Sequence, residues 1–526
     1  MEINPIAEWV RRQRLRAPGR LAVRTRAGER LTYGELDTRS DRLANALRAQ
    51  GLTAGDTVAL WMDDQVANVE MYVAAAKTGL VLVPVNERLQ PPEAQFIVTE
   101  SAARAVLYSD SVVERLAACA AAGALDGRLL LAAGREQIGG AHCYRDLVEA
   151  GRAVPPGLDG TPAGRGPDEP YLVAFSSGTT GFPKGAVLTP RSVRHITRMS
   201  ALARRLVYYG RGVVASSLSF PAAITADIFT LLSTGSSMVL MGRGWDIDEL
   251  LSEVERERAT FVNVLGPHIP ALTEAARGRP DTLDSVISVV HGGSKIPRPQ
   301  LAELHSVVGD RLVEVWGMVE HSGGPITTTA PQDYWPSGEA RDIFESVGRT
   351  LPDCTVEVTG ADGQPLAHDG AQVGELVVSS PALMRGYLGR PDATTAVLKD
   401  GWYHTGDLGT IDEAGYVYIV DRRKDLIVSG GINIYPSELE RVIQECPDVG
   451  EVSVVGVPHP KWGRTPVAVV VPARGRELTA EALQAFLSGR LASYKKPTRV
   501  VFVAELPRNV SGKIVKSLVE DMVNTA

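Results

Sequence analysis

Apolar and amphipathic segments alternate along the first part of the chain. In residues 31–50, apolar side chains recur at helical spacing at Leu36, Leu43, Ala44 and Leu47, which predicts an amphipathic helix. The pattern then predicts a strand at 58–61, a helix at 66–77 and a strand at 79–85. Such alternation of strand and helix is typical of a parallel or mixed sheet flanked by helices.

The same pattern resumes further along the chain and then changes. Further strands are predicted at 171–175, 186–189, 213–217, 237–241, 260–265 and 285–290, with a helix at 247–258. A stretch rich in Gly and Pro, residues 151–170, predicts a surface connection. Short strands and turns from about 347 to 420 indicate a small β subdomain.

The last segment of the chain is long enough to form a domain of its own. It combines helical spacing with predicted strands at 452–457, 467–471 and 499–503. The predicted architecture is therefore α/β, with a large first domain at 1–420 and a small α+β domain at 421–526.

Composition and charge narrow the class of protein. A chain of 526 residues is too long for one compact core, which predicts at least two domains. Its net charge of −7 argues against nucleic acid as a bulk partner. The four cysteines form no C-x-x-C pair, which favours core thiols in a reducing compartment. The amino terminus has no apolar signal-peptide core and no run reaches membrane-spanning length, so we expect a cytoplasmic protein without a membrane span.

Hydroxyl, glycine and lysine residues crowd together in the stretch SSGTTGFPKG at 176–185. Glycines let successive N–H groups point at one centre, hydroxyls donate further hydrogen bonds, and a lysine adds a positive charge. A linker is the alternative, but predicted strands flank the stretch on both sides. It is not a Walker loop, because Lys184 is followed by Gly185 rather than by Ser or Thr. The predicted polyphosphate contacts are Ser176, Ser177, Gly178, Thr179, Thr180, Gly181 and Lys184.

This stretch resembles the phosphate-binding signature of the adenylate-forming superfamily, which includes acyl- and aryl-CoA ligases, adenylation domains of nonribosomal peptide synthetases and firefly luciferases. Further motifs in the expected order extend the resemblance over nearly the whole chain. The resemblance implies an adenylation core followed by a mobile lid domain. It also implies the cofactors ATP, Mg²⁺ and CoA.

The segment WGMVE at 316–320 is similar to the second core motif of that superfamily, Tyr-Gly-x-Thr-Glu. A carboxylate suits a hard Mg²⁺ ion, so Glu320 is the metal candidate, although Glu320 alone would read as a solvated surface acid. The resemblance places Trp316 and Gly317 at the nucleotide. The chain has Val319 where the motif has Thr, so a hydroxyl that contacts the α-phosphate in relatives is missing.

Upstream, HGGSKIP at 291–297 resembles the glycine-rich turn that lies against adenine in relatives. Glycine allows a backbone to approach a flat ring closely. The resemblance assigns Gly293, Ser294 and Lys295 to the nucleotide. A plain turn is the alternative for these residues. We interpret His291 as a pocket wall or a core histidine rather than as a base.

Two motifs in the second half imply contacts to ribose and to the thiol acceptor. WYHTGD at 402–407 matches the motif whose Asp, here Asp407, accepts both ribose hydroxyls; a carboxylate offers two oxygens to a vicinal diol. In DRRKDLIVSGGINIYPSELE at 421–440, Arg422 is the implied second ribose or phosphate contact and Lys424 the hinge. Gly430 and Gly431 border the implied pantetheine channel.

The final motif, LPRNVSGKIVK at 506–516, places Lys513 where the superfamily keeps its adenylation lysine. Joining a carboxylate to the α-phosphate brings two anions together, and a lysine between them offsets the repulsion. The implied reaction forms acyl-AMP and pyrophosphate, with Lys513, Lys184 and Glu320 as catalytic residues. The lid then turns about Lys424 so that a thiol attacks the acyl-AMP.

The acid is expected to bind near SLSFPAAITADIF at 217–229. Within this stretch, Phe-Pro-Ala-Ala at 220–223 forms an uncharged wall, which disfavours the buried ammonium of an amino acid. We therefore hypothesise an aromatic or bulky alicyclic acid, with a fatty acid as the alternative. The predicted acid-pocket residues are Phe220, Pro221, Ile224, His291, Gly292, Met318 and Val319.

The thiol acceptor and the class of function leave alternatives open. No carrier-protein segment follows Lys513, so CoA is the expected acceptor and a separate carrier protein the alternative. A non-catalytic adenylate-binding protein is a further alternative, for which Val319 in place of Thr is the one hint. No residue argues for a luciferase-like oxygenation.

Overall fold

The computed structural model describes residues 4–155, 166–175, 183–264, 266–294, 296–334, 342–430, 432–488, 490–492, 495–509 and 512–525. The chain divides into two compact units. The larger comprises Met1–Thr355 and Ser379–Trp402, and the smaller comprises Val356–Val378 and Tyr403–Ala526. The proposed domain boundary between residues 420 and 421 stays a prediction.

Helices are distributed along the whole chain. The α-helices of the described residues are α1 (Pro5–Arg16), α2 (Tyr33–Ala49), α3 (Val66–Thr78), α4 (Pro91–Glu100), α5 (Val113–Ala121), α6 (Tyr144–Ala150), α7 (Pro190–Ala203), α8 (Phe229–Thr234), α9 (Ile247–Glu257), α10 (Ile269–Gly278), α11 (Arg298–Val308), α12 (Pro391–Val397), α13 (Pro436–Gln444), α14 (Ala480–Leu487) and α15 (Lys516–Thr525). A π-helical segment, Ala223–Ile228, precedes α8. Short 3₁₀ turns lie at Asp110–Val112, Gly266–His268, Pro280–Leu283, Gly309–Arg311, Val319–His321, Pro331–Tyr334 and Ile343–Glu345.

Most strands have two to six residues, whereas β21, β25 and β26 have ten or eleven. In chain order they are β1 (Leu21–Thr25), β2 (Arg30–Thr32), β3 (Thr57–Trp61), β4 (Val81–Val85), β5 (Ala105–Tyr108), β6 (Leu129–Ala132), β7 (His142–Cys143), β8 (Leu172–Phe175), β9 (Gly185–Leu188), β10 (Arg211–Val214), β11 (Ser237–Leu240), β12 (Phe261–Asn263), β13 (Ser288–Gly292), β14 (Leu312–Gly317), β15 (Pro325–Thr328), β16 (Arg349–Thr350), β17 (Thr355–Thr359), β18 (Gly374–Ser379), β19 (Gly386–Tyr387), β20 (Leu398–Lys399), β21 (Trp402–Ile411), β22 (Val417–Arg422), β23 (Ile427–Ser429), β24 (Ile432–Ile434), β25 (Val449–His459), β26 (Gly463–Pro472) and β27 (Arg499–Phe502).

One sheet of the larger unit has the strand order β19-β9-β8-β4-β3-β5-β6-β7. Strands β8, β4, β3, β5, β6 and β7 run parallel to their neighbours, whereas β9 and β19 are antiparallel additions at one edge. Every residue of β4 and β5 is buried, as expected for parallel strands covered on both faces. The predicted strands at 58–61, 79–85, 171–175 and 186–189 are confirmed in this sheet.

The second sheet of the larger unit has the order β16-β15-β14-β13-β12-β10-β11-β1-β2. Its centre is parallel, and β15, β16 and β2 pair antiparallel at the two ends. Helix α9 begins at a capping box between Asp246 and Glu249 and packs Leu250, Leu251 and Val254 into the core beside this sheet. The helix predicted at 247–258 is therefore confirmed. β12 ends at Asn263, and residue 265 lies outside the described residues.

The smaller unit contains two further groups of strands. β17, β18, β21 and β22 lie side by side, with β18, β21 and β22 antiparallel. A second sheet has the order β24-β23-β26-β25, and β27 joins β26 in parallel. Helices α13 and α14 bury Leu439, Ile443, Leu483 and Leu487 in one apolar core of this unit. The α/β fold class, with a large unit of mixed sheets and a smaller α+β unit, is confirmed.

Candidate functional site

Strands β8 and β9 hold the two ends of the predicted phosphate loop. Their antiparallel register places Phe175 opposite Gly185, so residues 176–184 connect paired strand ends. A Cβ atom on Gly185 would lie 2.7 Å from Val173 Cγ1, so a side chain there would displace the strand. Six predicted contacts lie outside the described residues: Ser176, Ser177, Gly178, Thr179, Thr180 and Gly181.

After β9 the chain turns directly into helix α7. Thr189 caps this helix by accepting a hydrogen bond from Ser192 N at 3.2 Å, and the Ser192 hydroxyl oxygen accepts one from Thr189 N at 3.0 Å. Pro190 occupies the first helical position, where its missing N–H costs nothing. The strand that follows Lys184 is therefore anchored at both ends.

The larger unit brings Lys184 and Glu320 to the same tyrosine. β19 pairs with β9, with Tyr387 opposite Ala186. The Lys184 Nζ atom lies 5.3 Å from the centroid of the Tyr387 ring. The Tyr387 hydroxyl donates a hydrogen bond to Glu320 Oε1 at 2.7 Å. Two predicted catalytic residues that are distant in sequence therefore meet at a side chain that the sequence did not single out.

Glu320 lies in a tight turn at the end of β14. The 3₁₀ turn Val319–His321 is followed by Ser322 with a φ of 52°, which reverses the chain toward β15. A Cβ atom on Gly317 would lie 2.1 Å from the Gly324 carbonyl oxygen, so the turn requires glycine there. Glu320 is partly exposed, whereas Trp316 is only 8% exposed.

His321 anchors this turn from the inside. Its Nε2 atom lies 2.9 Å from Ser380 Oγ and 3.5 Å from Cys354 Sγ. Burial lowers the pKa of His321 to about 4, so the imidazole is neutral at pH 7. The Ser322 hydroxyl donates to the Ala382 carbonyl oxygen at 2.8 Å. The turn that bears Glu320 is thus fixed to residues 380–384 by side chains that sequence analysis missed.

One carboxylate is all that this turn offers to a divalent cation. Among the residues that the structure describes, no group of three or more His, Cys, Asp or Glu could hold a metal ion. Mg²⁺ is commonly bound by one or two carboxylates together with substrate phosphates. The single carboxylate of Glu320 therefore fits a Mg²⁺ ion that arrives with a nucleotide.

His291 lies near the end of β13 and has no exposed surface. Its Nδ1 lies 3.2 Å from the Val264 carbonyl oxygen and its Nε2 lies 3.0 Å from the Ser294 carbonyl oxygen. Burial lowers the pKa of His291. This is the geometry of a core histidine. Gly293 and Ser294 are exposed, and Lys295 lies outside the described residues.

The predicted acid wall packs against the turn that bears Glu320. The Thr225 hydroxyl lies 2.9 Å from the Pro221 carbonyl oxygen and 2.6 Å from the Ser322 carbonyl oxygen, so it links the π-helical segment to the turn. A Cβ atom on Gly323 would lie 2.8 Å from the Pro221 carbonyl carbon. These contacts join the predicted acid wall to the predicted metal candidate.

Exposure divides the predicted acid-pocket residues into two groups. Ile224 and His291 have no exposed surface, and Pro221 is buried. The partly exposed members are Phe220, Gly292, Met318 and Val319. The accessible side chains among these predicted residues are thus an aromatic ring, a thioether chain and a branched aliphatic group.

A buried ion pair lies beneath the acid wall. Arg204 Nη2 is 3.1 Å from Asp227 Oδ1, and Asn263 Nδ2 donates to Asp227 Oδ2 at 3.0 Å. Arg204 is 3% exposed and Asp227 is not exposed at all. Burial raises the pKa of Asp227 and lowers that of Arg204. Arg204 at the end of α7, Asp227 in the π-helical segment and Asn263 at the end of β12 thus connect these three elements.

Asp64 holds the first residues of the stretch at 217–229 in place. Its Oδ1 atom accepts a hydrogen bond from Leu218 N at 2.7 Å. Nearby, Asn86 Nδ2 donates to Ser219 Oγ at 2.8 Å. Burial raises the pKa of Asp64 to about 7; the Leu218 N–H opposes this shift, and the nearby Glu87 and Asp63 add to it.

Replacing Asp64 with asparagine should therefore change how stability depends on pH. The carboxyl group is protonated in the folded protein up to about pH 7, whereas an unfolded aspartate ionises near pH 4. Its contribution to stability is thus lost as the pH rises from about 4 to about 7. We expect the thermal midpoint of Asp64→Asn, relative to wild type, to rise between pH 5 and pH 8. An equal difference at both pH values would contradict this assignment.

In the smaller unit, the two residues implied for ribose binding lie opposite each other. Asp407 on β21 pairs in register with Arg422 on β22, and Arg422 Nε is 2.5 Å from Asp407 Oδ1. Asp407 is 2% exposed, whereas half of the Arg422 side chain is exposed. The implied hinge residue, Lys424, lies 3.4 Å from Asp425 Oδ1.

Gly430 directly follows β23, where the chain leads on toward β24, and it contacts Trp462, the residue before β26. Its φ is +57°, and a Cβ atom would lie 2.8 Å from Trp462 Cε3. Its N–H donates to the Trp462 carbonyl oxygen at 2.8 Å. Glycine is therefore required here by the backbone and by the tryptophan. Gly431 lies outside the described residues.

Lys513 is exposed on a turn that its own main chain stabilises. Asn509 Oδ1 accepts a hydrogen bond from Lys513 N at 2.9 Å, and Asn509 N donates to the Lys513 carbonyl oxygen at 2.9 Å. Gly512 has a φ of +80°. The turn geometry thus depends on the main chain of Lys513 and on Asn509.

Family models and related proteins match most of the chain. The model of the family described as AMP-binding enzyme matches residues 10–388, and that described as AMP-binding enzyme C-terminal domain matches residues 438–513. A feruloyl-CoA synthase of an Amycolatopsis species is 36% identical over 520 residues, covering 98% of both chains. The long-chain-fatty-acid–CoA ligase FadD13 of Mycobacterium tuberculosis is 32% identical over 519 residues, covering 98% of this chain and 97% of the relative.

The solved structures agree with this similarity. The crystal structure of ATP-bound MatB from Rhodopseudomonas palustris superposes with a TM-score of 0.88 at 29% identity, covering 99% of each chain. In the part of this chain that the structure describes, no helix is both long and apolar enough to cross a membrane.

Proposed function

The chain belongs to the AMP-binding enzyme family, and from this premise we propose that it activates a carboxylic acid with ATP and transfers the acyl group to CoA. The acid and ATP give acyl-AMP and pyrophosphate, and the CoA thiol then displaces AMP to give acyl-CoA. The observation that best supports this proposal is the meeting of Lys184 and Glu320 at Tyr387. This arrangement joins a cation, at the end of the predicted phosphate loop, to the carboxylate that is proposed to bind Mg²⁺.

The first half-reaction requires two anions to approach each other. Lys184 and Lys513 offset the charge of the acid carboxylate and of the phosphoryl oxygens. Glu320 would hold Mg²⁺, and the bound ion would supply positive charge to neutralise the phosphates. Asp407 and Arg422 orient the ribose, because a buried carboxylate can accept hydrogen bonds from both of its hydroxyls.

The second half-reaction requires access for a thiol. Gly430 has no side chain, and the geometry at Trp462 excludes one. We assign Gly430 to the path of the pantetheine thiol and Lys424 to the hinge of the lid. CoA is the proposed acceptor, and a carrier protein is the alternative acceptor. The cytoplasmic location stays a prediction.

We further propose that the acid is aromatic or bulky and alicyclic. Among the predicted acid-pocket residues, Phe220, Met318 and Val319 have partly exposed side chains, and none of the three carries a charge. An aromatic ring packs well against such a surface. The similarity to a feruloyl-CoA synthase is consistent with an aromatic acid. The similarity to a long-chain-fatty-acid–CoA ligase favours a fatty acid as the second candidate.

Mass spectrometry of the products tests this function. The protein is incubated with MgATP, CoA and pooled aromatic, alicyclic, fatty and amino acids. A thioester of an aromatic or alicyclic acid is the expected product. A fatty acyl thioester would support the second candidate, and a strong preference for amino acids would contradict both. Acyl-AMP without thioester would point to a carrier protein as the acceptor. The absence of both products would favour a non-catalytic nucleotide-binding protein.

A further inference from the structure

Backbone hydrogen bonds hold the segment around Tyr387 in place. The Tyr387 N–H donates to Thr394 Oγ1 at 2.8 Å. On either side, Arg385 N donates to the Val187 carbonyl oxygen at 2.9 Å and Leu388 N donates to the Gly185 carbonyl oxygen at 2.8 Å. The segment therefore belongs to the edge of the sheet from which Lys184 emerges.

The same segment also holds the main chain of Glu320. Met384 N donates to the Glu320 carbonyl oxygen at 2.7 Å. Gly386 has a φ of +152°, and a Cβ atom there would lie 2.8 Å from Thr394 Cγ2. Residues 384–387 therefore bind both the backbone and the carboxylate of Glu320, in a conformation that requires glycine beside Tyr387.

The Tyr387 side chain makes one contact with each charged group. Its hydroxyl donates to Glu320 Oε1 at 2.7 Å, a distance typical of an O–H···O hydrogen bond. The face of its ring lies 5.3 Å from Lys184 Nζ, within the range of a cation–π interaction. Tyr387 is only 8% exposed, so water competes little for either contact.

Two opposite charges at one ring could instead form a direct ion pair. Such a pair would neutralise the lysine that is proposed to face phosphate and the carboxylate that is proposed to bind Mg²⁺. The Tyr387 hydroxyl instead binds Glu320 and its ring contacts Lys184, so one uncharged side chain holds both groups without neutralising either. Neither phenylalanine nor serine could do this, because the first lacks the hydroxyl and the second lacks the ring.

We propose that Tyr387 is a positioning residue for adenylation, which sets Glu320 and Lys184 in place for Mg²⁺ and the phosphates of ATP. The inference rests on the proposed function, in which those two residues act on MgATP. It adds a residue outside the motifs that predicted the site. It also assigns separate tasks to the hydroxyl and to the ring.

The separate tasks can be tested with two substitutions. Tyr387→Phe removes the hydroxyl and keeps the ring, and Tyr387→Leu removes both. Pyrophosphate exchange is measured while Mg²⁺ and ATP are varied independently. For Tyr387→Phe we expect a rise in the Mg²⁺ concentration for half-maximal activity and a loss in kcat of about 10- to 100-fold. For Tyr387→Leu we expect, in addition, a higher KM for ATP.

A matched control is available elsewhere in the larger unit. The Tyr144 hydroxyl also donates to a buried carboxylate, Glu70 Oε2, at 2.9 Å. Tyr144→Phe removes the same type of hydrogen bond and should leave the Mg²⁺ dependence unchanged. In a Glu320→Gln background, Tyr387→Phe should have little further effect, because coupled residues are not additive.

The outcomes separate this inference from the proposed function. If the wild type forms no adenylate with any acid, the proposed function fails. If the wild type is active and Tyr387→Phe matches it in kcat and Mg²⁺ dependence, the assignment of Tyr387 is overturned. An activity loss with an unchanged Mg²⁺ dependence, accompanied by a lower thermal midpoint than that of Tyr144→Phe, would also overturn it, since Tyr387 would then be purely structural.

Discussion

Replacing Lys513 with alanine is expected to lower the rate of acyl-adenylate formation by about 10²- to 10³-fold, the usual cost of removing one group that stabilises developing charge. The lysine is proposed to lie between the acid carboxylate and the α-phosphate. The folded turn should survive, because the hydrogen bonds with Asn509 use the main chain of residue 513. Pyrophosphate release in the presence of the preferred acid measures the effect.

The second half-reaction provides the control for this variant. When acyl-AMP and CoA are supplied directly, Lys513→Ala should form the thioester at close to the wild-type rate. An exposed lysine of the larger unit, Lys399, gives a matched alanine variant that should adenylate normally. Adenylation by Lys513→Ala at the wild-type rate would refute the assignment. If the wild type and Lys513→Ala both bound ATP without turnover, the chain would be a non-catalytic nucleotide-binding protein.

The alternation of apolar and polar positions was sufficient to predict the elements that surround the site. Strands β3, β4, β8 and β9 were predicted within two residues at each end, because buried parallel strands are short, uninterrupted apolar runs bounded by turns. Pairing order was not predictable in this way. β19 has only two residues, and it joins β9 from a distant part of the chain.

The motifs predicted several residues that the structure brings together. Asp407 and Arg422 face each other because their strands pair in register. Lys184 and Glu320 meet only through Tyr387, whose place depends on the β9–β19 pairing. No local signal marks that tyrosine, since an aromatic residue in a short strand is ordinarily a packing residue. Long-range pairing is the information that sequence patterns lack.

The buried pair of Arg204 and Asp227 escaped prediction for a similar reason. Both residues lie in segments that otherwise read as apolar or helical, and a charged residue there is typical of an exposed helix face. The π-helical turn at Ala223–Ile228 contains Asp227 and directs it into the protein, where Arg204 and Asn263 receive it. A π-helical turn contains one residue more than an α-helical turn, and hydrophobic spacing does not reveal that extra residue.

Replacing Asp227 with alanine is expected to destabilise the larger unit by about 3–5 kcal/mol, because it leaves the buried Arg204 guanidinium without its counter-charge. Asn263 would lose its acceptor as well. The KM for the acid should also rise, since the π-helical segment belongs to the proposed acid wall and contacts the turn of Glu320 through Thr225. Thermal unfolding and adenylation kinetics measure the two effects.

The double variant Arg204→Met/Asp227→Leu separates lost charge pairing from lost packing. Replacing a whole buried ion pair with apolar side chains of similar volume is often nearly neutral, whereas removing one partner is costly. We therefore expect the double variant to be more stable than Asp227→Ala. If the losses from Arg204→Met and Asp227→Leu instead added up in the double variant, the two side chains would not be coupled. If stability recovered but the KM for the acid did not, the ion pair itself would be needed to set the position of the acid wall.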